Sequence, residues 1–246
     1  MAAERVKGYP CRLPTGTLRS SDVRARRAAG YESERPDLQR HIPRNARRIL
    51  DLGCSTGALG DALKRRQEVT ILGVEADEEY VADARTRLDR VVVSDVERFL
   101  AGPAPIEAPF DCLVAADILE HLVDPWRALS RAVDLLAPGA TVVVSLPNVI
   151  YYRAIWQVLR DGRWPREDVG VFDRTHLRWF TLDDALDLLR QAGLRPTTFE
   201  PRYWAVGWRL RWRQAVAKTR LHRFLPPQYI VCAVKDGPLD CGSPGP

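Results

Sequence analysis

The chain has only four histidines, no run approaching the roughly 20 apolar residues of a membrane span, and no pair of cysteines at metal-ligand spacing. Each shortage excludes something. Without a long apolar run there is no spanning helix, and the opening stretch MAAERVKGYPCRL lacks the apolar centre of a secretory signal, so a cytoplasmic protein is expected. The five cysteines (Cys11, Cys54, Cys112, Cys232, Cys241) include three inside apolar, strand-like runs, which predicts free buried thiols in a reducing compartment. No Gly-Lys-Ser/Thr is present, which excludes a nucleotide phosphate loop. No internal repeat appears. The stretch Arg202–Phe224 contains no acidic residue at all.

What is present suits one α/β domain: 246 residues, 46% of them apolar, can bury a sizeable core. The net charge of +5 is uneven, concentrated in residues 1–45 and in the later basic stretch. We expect 1–45 to be a loosely attached basic segment, within which SSDVRARRAAGYESERPDL can form a lid helix. From 46 to 236 the text changes character, and 237–246 is expected to be a disordered tail.

Short β-branched runs (ARRILDLG, VTILGVEA, VVVSDV, FDCLVAAD, TVVVSLPN) alternate with helical patterns after Gly57, Asp77 and Asp124–Pro125, the last stopped by Pro138 and Gly139. That alternation predicts a parallel sheet with right-handed crossovers and helices on both faces. After Asn148 an insert over 149–180, rich in Tyr, Trp and Arg, breaks the rhythm. TLDDALDLLRQAGL then resumes as a helix between an N-cap at Thr181 and a C-cap at Gly193, followed by strands in PTTFEPRY and QYIVCAVK.

In ILDLGCSTGALG, Gly53, Gly57 and Gly60 lie between a strand and a helix, where the backbone turns tightly and a ligand can approach. Ser55 stands where a dinucleotide fingerprint has its second glycine. Acids at Asp51, Glu75 and Asp95, at or near three strand ends, would repel a pyrophosphate and attract a cation. Glu75 is placed for ribose hydroxyls and Asp95 for an adenine amino group, so the expected ligand is a positively charged adenosine.

These residues, with GVEAD, SDVERF, FDCLVAADILEHLVDP and LAPGATVVVSLPN, resemble the class I S-adenosylmethionine-dependent methyltransferases from about Arg47 to Lys235. The resemblance implies a Rossmann-like sheet of seven mostly parallel strands, the last antiparallel. It implies S-adenosylmethionine as cofactor, held by Asp51, Gly53, Cys54, Ser55, Gly57, Glu75, Ala76, Asp95, Val96, Ala116 and Asp117.

Methylating a hydroxyl calls for a base or a metal at the carboxyl end of the fourth strand. DILEHLVDP supplies Asp117, Glu120 and His121, which in some relatives active in quinone synthesis are thought to hold a divalent ion; the favoured reading is metal-free, with Glu120 and His121 bonding the loop. The stretch GRWPREDVGVFDRTHLRWFT resembles the bacterial branch that accompanies sugar and polysaccharide gene products. On that likeness His176 is the leading general base, Asp173 its orienting partner and Arg178 an acceptor contact, with His121 and Asp117 as further catalytic candidates. A polar clasp made of Asp173, His176 and Arg178 is the structural alternative.

Tyr151, Tyr152, Trp156 and Trp164 fit either an acceptor cavity or a helix face packed on the sheet. His41 and His222 lie outside the motifs and are expected to be exposed. Trp204, Trp208 and Trp212 recur every fourth residue beside Arg209, Arg211 and Arg213, a pattern that suits cover for the domain, a partner subunit such as a second copy, or an anionic membrane surface through 202–223. A nucleic-acid partner is set aside because no RNA-binding module is appended. The expected activity is O-methylation of a sugar, glycan precursor or glycosylated natural product. A quinone, phenolic or other non-sugar metabolite is the alternative acceptor, and a non-catalytic cofactor-binding scaffold is the alternative of another class.

Overall fold

Seven strands form one sheet in the order β3-β2-β1-β4-β5-β7-β6 in the computed structural model, which describes residues 32–203 and 223–236. They are β1 (Arg48–Leu52), β2 (Thr70–Glu75), β3 (Arg90–Val93), β4 (Phe110–Ala116), β5 (Leu136–Pro147), β6 (Leu194–Arg202) and β7 (Gln228–Lys235). The first five pair in parallel, while β7 runs antiparallel to both β5 and β6, as the family resemblance implied. The helices are α1 (Pro36–Gln39), α2 (Ala58–Arg66), α3 (Glu78–Arg87), α4 (Val96–Ala101), α5 (Pro125–Asp134), α6 (Tyr152–Asp161) and α7 (Leu182–Gln191).

Successive strand residues face opposite sides, so Ile49 feeds one apolar layer and Leu50 the other. Leu38 of α1, Leu59 and Leu63 of α2 and Ala84 of α3 join Ile49, Ile71 and Val143 on the first face. Val96 of α4, Leu129 of α5 and Leu188 of α7 join Leu50, Leu72 and Val142 on the second. A strand buried on both sides needs apolar residues at every position, which is why these strands read as continuous runs rather than as alternation.

Caps set several helix limits. Asp77 accepts from the Glu79 N–H, Asp124 from the Arg127 N–H, and Thr181 and Asp184 exchange side-chain and backbone bonds in a capping box. Pro138 and Gly139, expected to stop α5, lie inside the first residues of β5 instead. The helix has already ended at Asp134, because Leu136 pairs with Phe110 and a bulge then resets the register to Cys112 and Thr141. The 149–180 insert contains α6, whose start no strong signal announced. Nor does the part of the N-terminal segment in view hang loose: Leu38 and Ile42 are buried. Arg40 and His41 pair with Glu200 of β6, so His41 is half-buried, contrary to expectation. Cys54, Cys112 and Cys232 are buried free thiols, whereas Cys11, Cys241, His222, the Trp204–Trp212 stripe and the tail lie outside the described residues. Among the described residues no helix is long and apolar enough to cross a membrane.

Gly73, mid-strand in β2, is where the glycine loop and the end of α3 come closest to the sheet. A Cβ there would meet Cys54 Sγ at 2.5 Å and Leu88 Cδ1 at 2.7 Å. Gly73→Ala is expected to lower stability by about 1–3 kcal/mol through overpacking, read as a shift of the urea unfolding midpoint with unchanged slope.

Candidate active site

Parallel strands deliver their carboxyl ends to one edge, and there β1, β2 and β4 open a cleft of about 500 Å³. The chain leaves β1 through Gly53, at φ +72°, where a Cβ would press to 3.0 Å from Ile118 Cδ1. Among the described residues three non-glycine residues have positive φ: Arg35 at 50°, Ser55 at 50° and Asp117 at 54°; all three line this cleft. Each left-handed residue costs about 1–2 kcal/mol, a strain that collects where a ligand must be met rather than where the core must pack. Ser55 is therefore no neutral substitute for glycine. Its hydroxyl oxygen is buried without a partner and adds a polar atom to the loop.

Glu75 ends β2 with both carboxylate oxygens held. Oε2 accepts from the Ser55 N–H at 2.9 Å, and Oε1 from the N–H groups of Ala76 at 2.8 Å and Asp77 at 2.9 Å. Three backbone donors fix the acid and leave acceptor capacity for a ligand hydroxyl. Asp51 lies deeper, 4% exposed, and burial together with the Glu75 charge pushes its carboxyl up to about 7, with Arg35 opposing. A cationic ligand in the cleft would restore its charge.

Asp117 leaves β4 facing the same space and is clamped from three sides. Arg35 Nη1 donates to its Oδ2 at 2.8 Å, Ser145 Oγ to its Oδ1 at 2.8 Å, and Gln228 Nε2 also donates to Oδ1. Arg35 in turn pairs with Asp37, which Arg202 of β6 holds at 2.9 Å. Arg35, Ser145 and Gln228 were not legible as site residues beforehand, since Arg35 and Asp117 are 82 positions apart and no periodicity joins them.

Of the other expected cofactor contacts, Cys54 and Ala116 line the cleft. Gly57 precedes α2 in a left-handed turn, and Ala76 bonds Glu75 through its N–H. Asp95 caps α4 through the Glu97 and Arg98 N–H groups, and Val96 is core; the cleft wall reaches neither.

The acceptor side differs more from expectation. His121 and Thr175 line the cleft, whereas His176, expected as general base, is buried behind His121 with the two rings edge to face at 4.8 Å. The His176 Nδ1–H donates to the Val171 carbonyl at 3.0 Å, and the Asp173 carboxylate, expected to orient that ring, accepts instead from the Thr175 N–H and hydroxyl. Arg178 bonds the Val123 carbonyl, and the N–H groups of Leu177 and Arg178 both donate to the Glu120 carbonyl. The loop is thus clasped onto the 3-10 turn Leu119–His121.

A carbonyl only accepts, so Nδ1 of His121, 3.2 Å from the Thr175 carbonyl, carries the ring proton and Nε2 the lone pair of the neutral ring. The same logic turns the Nε2 lone pair of His176 toward Glu120 Oε1 at 4.0 Å. Burial, and then His121, hold His176 below its ordinary pKa, while burial drives Glu120 well above its own. Glu120 is 1% exposed and its Oε2 has no partner. Ligand atoms of Glu120, His121 and His176 all lie within 4.8 Å of one another, so the trio that suits a cation includes His176 in place of the expected Asp117.

A family profile described as "Methyltransferase domain" matches residues 23–198. The chain belongs to the class I S-adenosylmethionine-dependent methyltransferases. It is 32% identical over 206 residues to a ubiquinone biosynthesis O-methyltransferase of Ruegeria pomeroyi, covering 79% of this chain and 77% of that protein. A protein of the same name from Roseobacter denitrificans is 29% identical over 209 residues, covering 81% of this chain and 77% of that one. Neither is named for a sugar-modifying enzyme, the branch expected from the RTHLRWF stretch. The fold is that of an S-adenosylmethionine-dependent methyltransferase from Mesorhizobium loti, with a TM-score of 0.57 and 22% identity over 82% of this chain and 97% of that one. One from Archaeoglobus fulgidus gives a TM-score of 0.56 at 19% identity over 87% and 93%.

S-adenosylmethionine supplies the methyl group as a sulfonium, and the cleft of this methyltransferase suits it: a fixed acid at Glu75, a buried acid at Asp51 and a strained loop in close approach. Because a cation favours ionised Asp51, cofactor affinity is expected to fall as pH drops from about 8 to about 6, with proton release on binding visible by calorimetry in buffers of different ionisation heat. Folding has the opposite dependence: Asp51 binds its proton more tightly in the folded chain, so its contribution to stability declines as pH rises from the ordinary carboxylate range to about 7. Asp51→Asn is expected to unfold later at about pH 8, by on the order of 2 kcal/mol, and to bind the cofactor more weakly.

Proposed function

We propose that this methyltransferase O-methylates a hydroxyl of an aromatic small molecule of phenol or quinone type, with His121 as the base. The observation that carries the proposal is the position of His121. It is the one histidine in the cleft wall among the described residues, and with its Nδ1–H tied to the Thr175 carbonyl the basic lone pair of the neutral ring sits on Nε2. A neutral imidazole is matched to a phenol, whose ordinary pKa is about 10, far better than to a sugar alcohol. The name carried by the relatives supports the same acceptor class.

The aromatic platform on which a sugar reading relied also lies elsewhere. Tyr151, Tyr152, Trp156 and Trp164 are absent from the cleft wall, and Trp164 packs edge-on against Phe172 and Trp179. In this reading Asp117, held by Arg35, Ser145 and Gln228, forms the floor between cofactor and acceptor. His121 takes the hydroxyl proton while the acceptor oxygen attacks in line, and the loop around Thr175 excludes water. His176 positions His121 through ring contact.

A second reading rests on the unpartnered Oε2 of Glu120. A divalent cation on Glu120, His121 and His176 would satisfy it and would polarise the acceptor hydroxyl. Loss of turnover on chelation, restored by added metal, would favour this reading. Full activity in chelator, with metal-free protein by elemental analysis, would leave Glu120 as a neutral acid.

The deciding experiment incubates the protein with S-adenosylmethionine and either catechols and phenolic acids or nucleotide sugars, and reads methylated product by mass spectrometry. Turnover on the phenolic set is expected. Turnover on sugars alone would overturn the acceptor class, and cofactor binding without turnover on any acceptor would point to a scaffold. His121→Ala is expected to lower kcat by about 10²–10⁴ with cofactor affinity little changed. His176→Ala is expected to lower thermal stability along with rate; the reverse pattern would return the base role to His176.

A further inference from the structure

At the carboxyl edge of the sheet the side chains that hold Asp117 continue into a closed ring. Arg35 joins Asp117 to Asp37, with Nη1 on the Asp117 carboxylate at 2.8 Å and Nε on Asp37 at 3.1 Å. Arg202 pairs with the same Asp37 at 2.9 Å and donates from Nη1 to Gln228 Oε1 at 2.6 Å. Gln228 Nε2 then donates to Asp117 and closes the ring. Ser145 braces it, donating to Asp117 at 2.8 Å and accepting from Arg35 Nη2 at 3.3 Å. Acid and base alternate around the ring, and a neutral amide is the link between Arg202 and Asp117. The fold explains how the last strand can take part: β7 runs antiparallel to β5 and β6, so its first residue arrives at the edge where β4 and β5 end. Gln228 is there in register with Pro147 on one side and Arg202 on the other.

We propose that Gln228 is a positioning residue for methyl transfer, setting the Asp117 carboxylate in the cleft through its bridge to Arg202. Gln228 is 4% exposed and forms no part of the cleft wall, so it acts only through its neighbours. A guanidinium only donates and a carboxylate only accepts, and an amide meets both with one side chain. A charged residue at 228 would repel one neighbour or the other. Arg35 and Asp117 both have left-handed backbones, at φ 50° and 54°, and the ring ties these two strained residues to each other and to the sheet. Without the amide, Asp117 keeps Arg35 and Ser145 but is no longer held on its third side. A carboxylate free to turn presents no fixed charge to a sulfonium. The ring has the same role whichever hydroxyl is methylated.

The test compares the full chain with Gln228→Glu, Gln228→Met, Arg202→Met and the Gln228→Met/Arg202→Met pair. Gln228→Glu keeps the size and the acceptor facing Arg202 but turns the donor facing Asp117 into a second acceptor. By calorimetry, each change at 228 is expected to weaken S-adenosylmethionine binding about tenfold, and to shift the NMR signal of the labelled methyl carbon of the bound cofactor. With catechol as acceptor, kcat is expected to fall about 10–100-fold while the catechol KM changes little. The paired variant is expected to lose no more than the worse of its single changes, because both break one link. If Gln228→Glu does not fold, Gln228→Met, which adds no charge, decides; if the wild type leaves catechol unmethylated, the binding and NMR results decide. A lower unfolding midpoint with affinity, methyl signal and kcat all retained would make the ring a structural clasp and overturn the proposal. Losses that add in the paired variant would overturn it too, since Arg202 would then act on the cleft by itself.

Discussion

Two adjacent parallel strands, β1 and β4, end at the same edge of the sheet, and the chain must leave both without filling the space between them. It does so through left-handed residues, Gly53 and Ser55 after β1 and Asp117 after β4. Everything functional in the cleft depends on that constraint. The turn at Gly53 places the loop against Ile118. The turn at Asp117 points its carboxylate toward the cofactor side rather than into the helix layer. Only the rest of the fold, through Arg35, Ser145 and Gln228, makes such a backbone affordable.

Charge then sorts the cleft into two ends. At the cofactor end, Glu75 keeps its acid fixed by three N–H groups, and Asp51 is driven toward neutrality until a cation arrives. At the acceptor end, Glu120 and His176 sit behind His121 in a buried group whose members favour their neutral forms. A site arranged this way has little to gain from binding a charged acceptor and much to gain from stabilising a sulfonium. The loop that carries His176 is held by backbone bonds to Glu120, so the strand-four turn and the 149–180 insert act as one wall.

Much of this was legible from residues alone. The helix starts at Ala58, Glu78 and Pro125 and the capping box at Thr181 follow from local chemistry, as do the β-branched runs of the central strands. Asp51, Gly53 and Glu75 were legible for the same reason: a strand, a tight turn and an acid at the next strand end are all read within thirty residues. Pro138 and Gly139 misled because strand pairing with β4 outweighed their usual role as helix stops. The depth of the two histidines was not legible, because a motif gives residue type and order and not burial: His176 is buried and His121 meets the cleft.

The sequence by itself determined the alternation of strand and helix, the glycine turn and the acids that favour a cationic nucleoside, since each is a matter of local propensity and spacing. Only the tertiary structure decided which histidine meets the cleft, that Arg35 clamps Asp117 from 82 positions away, and that Gln228 joins Arg202 to Asp117. The physical reason is that burial, and with it the charge state and reach of a side chain, is set by neighbours that the chain brings together only when the sheet closes.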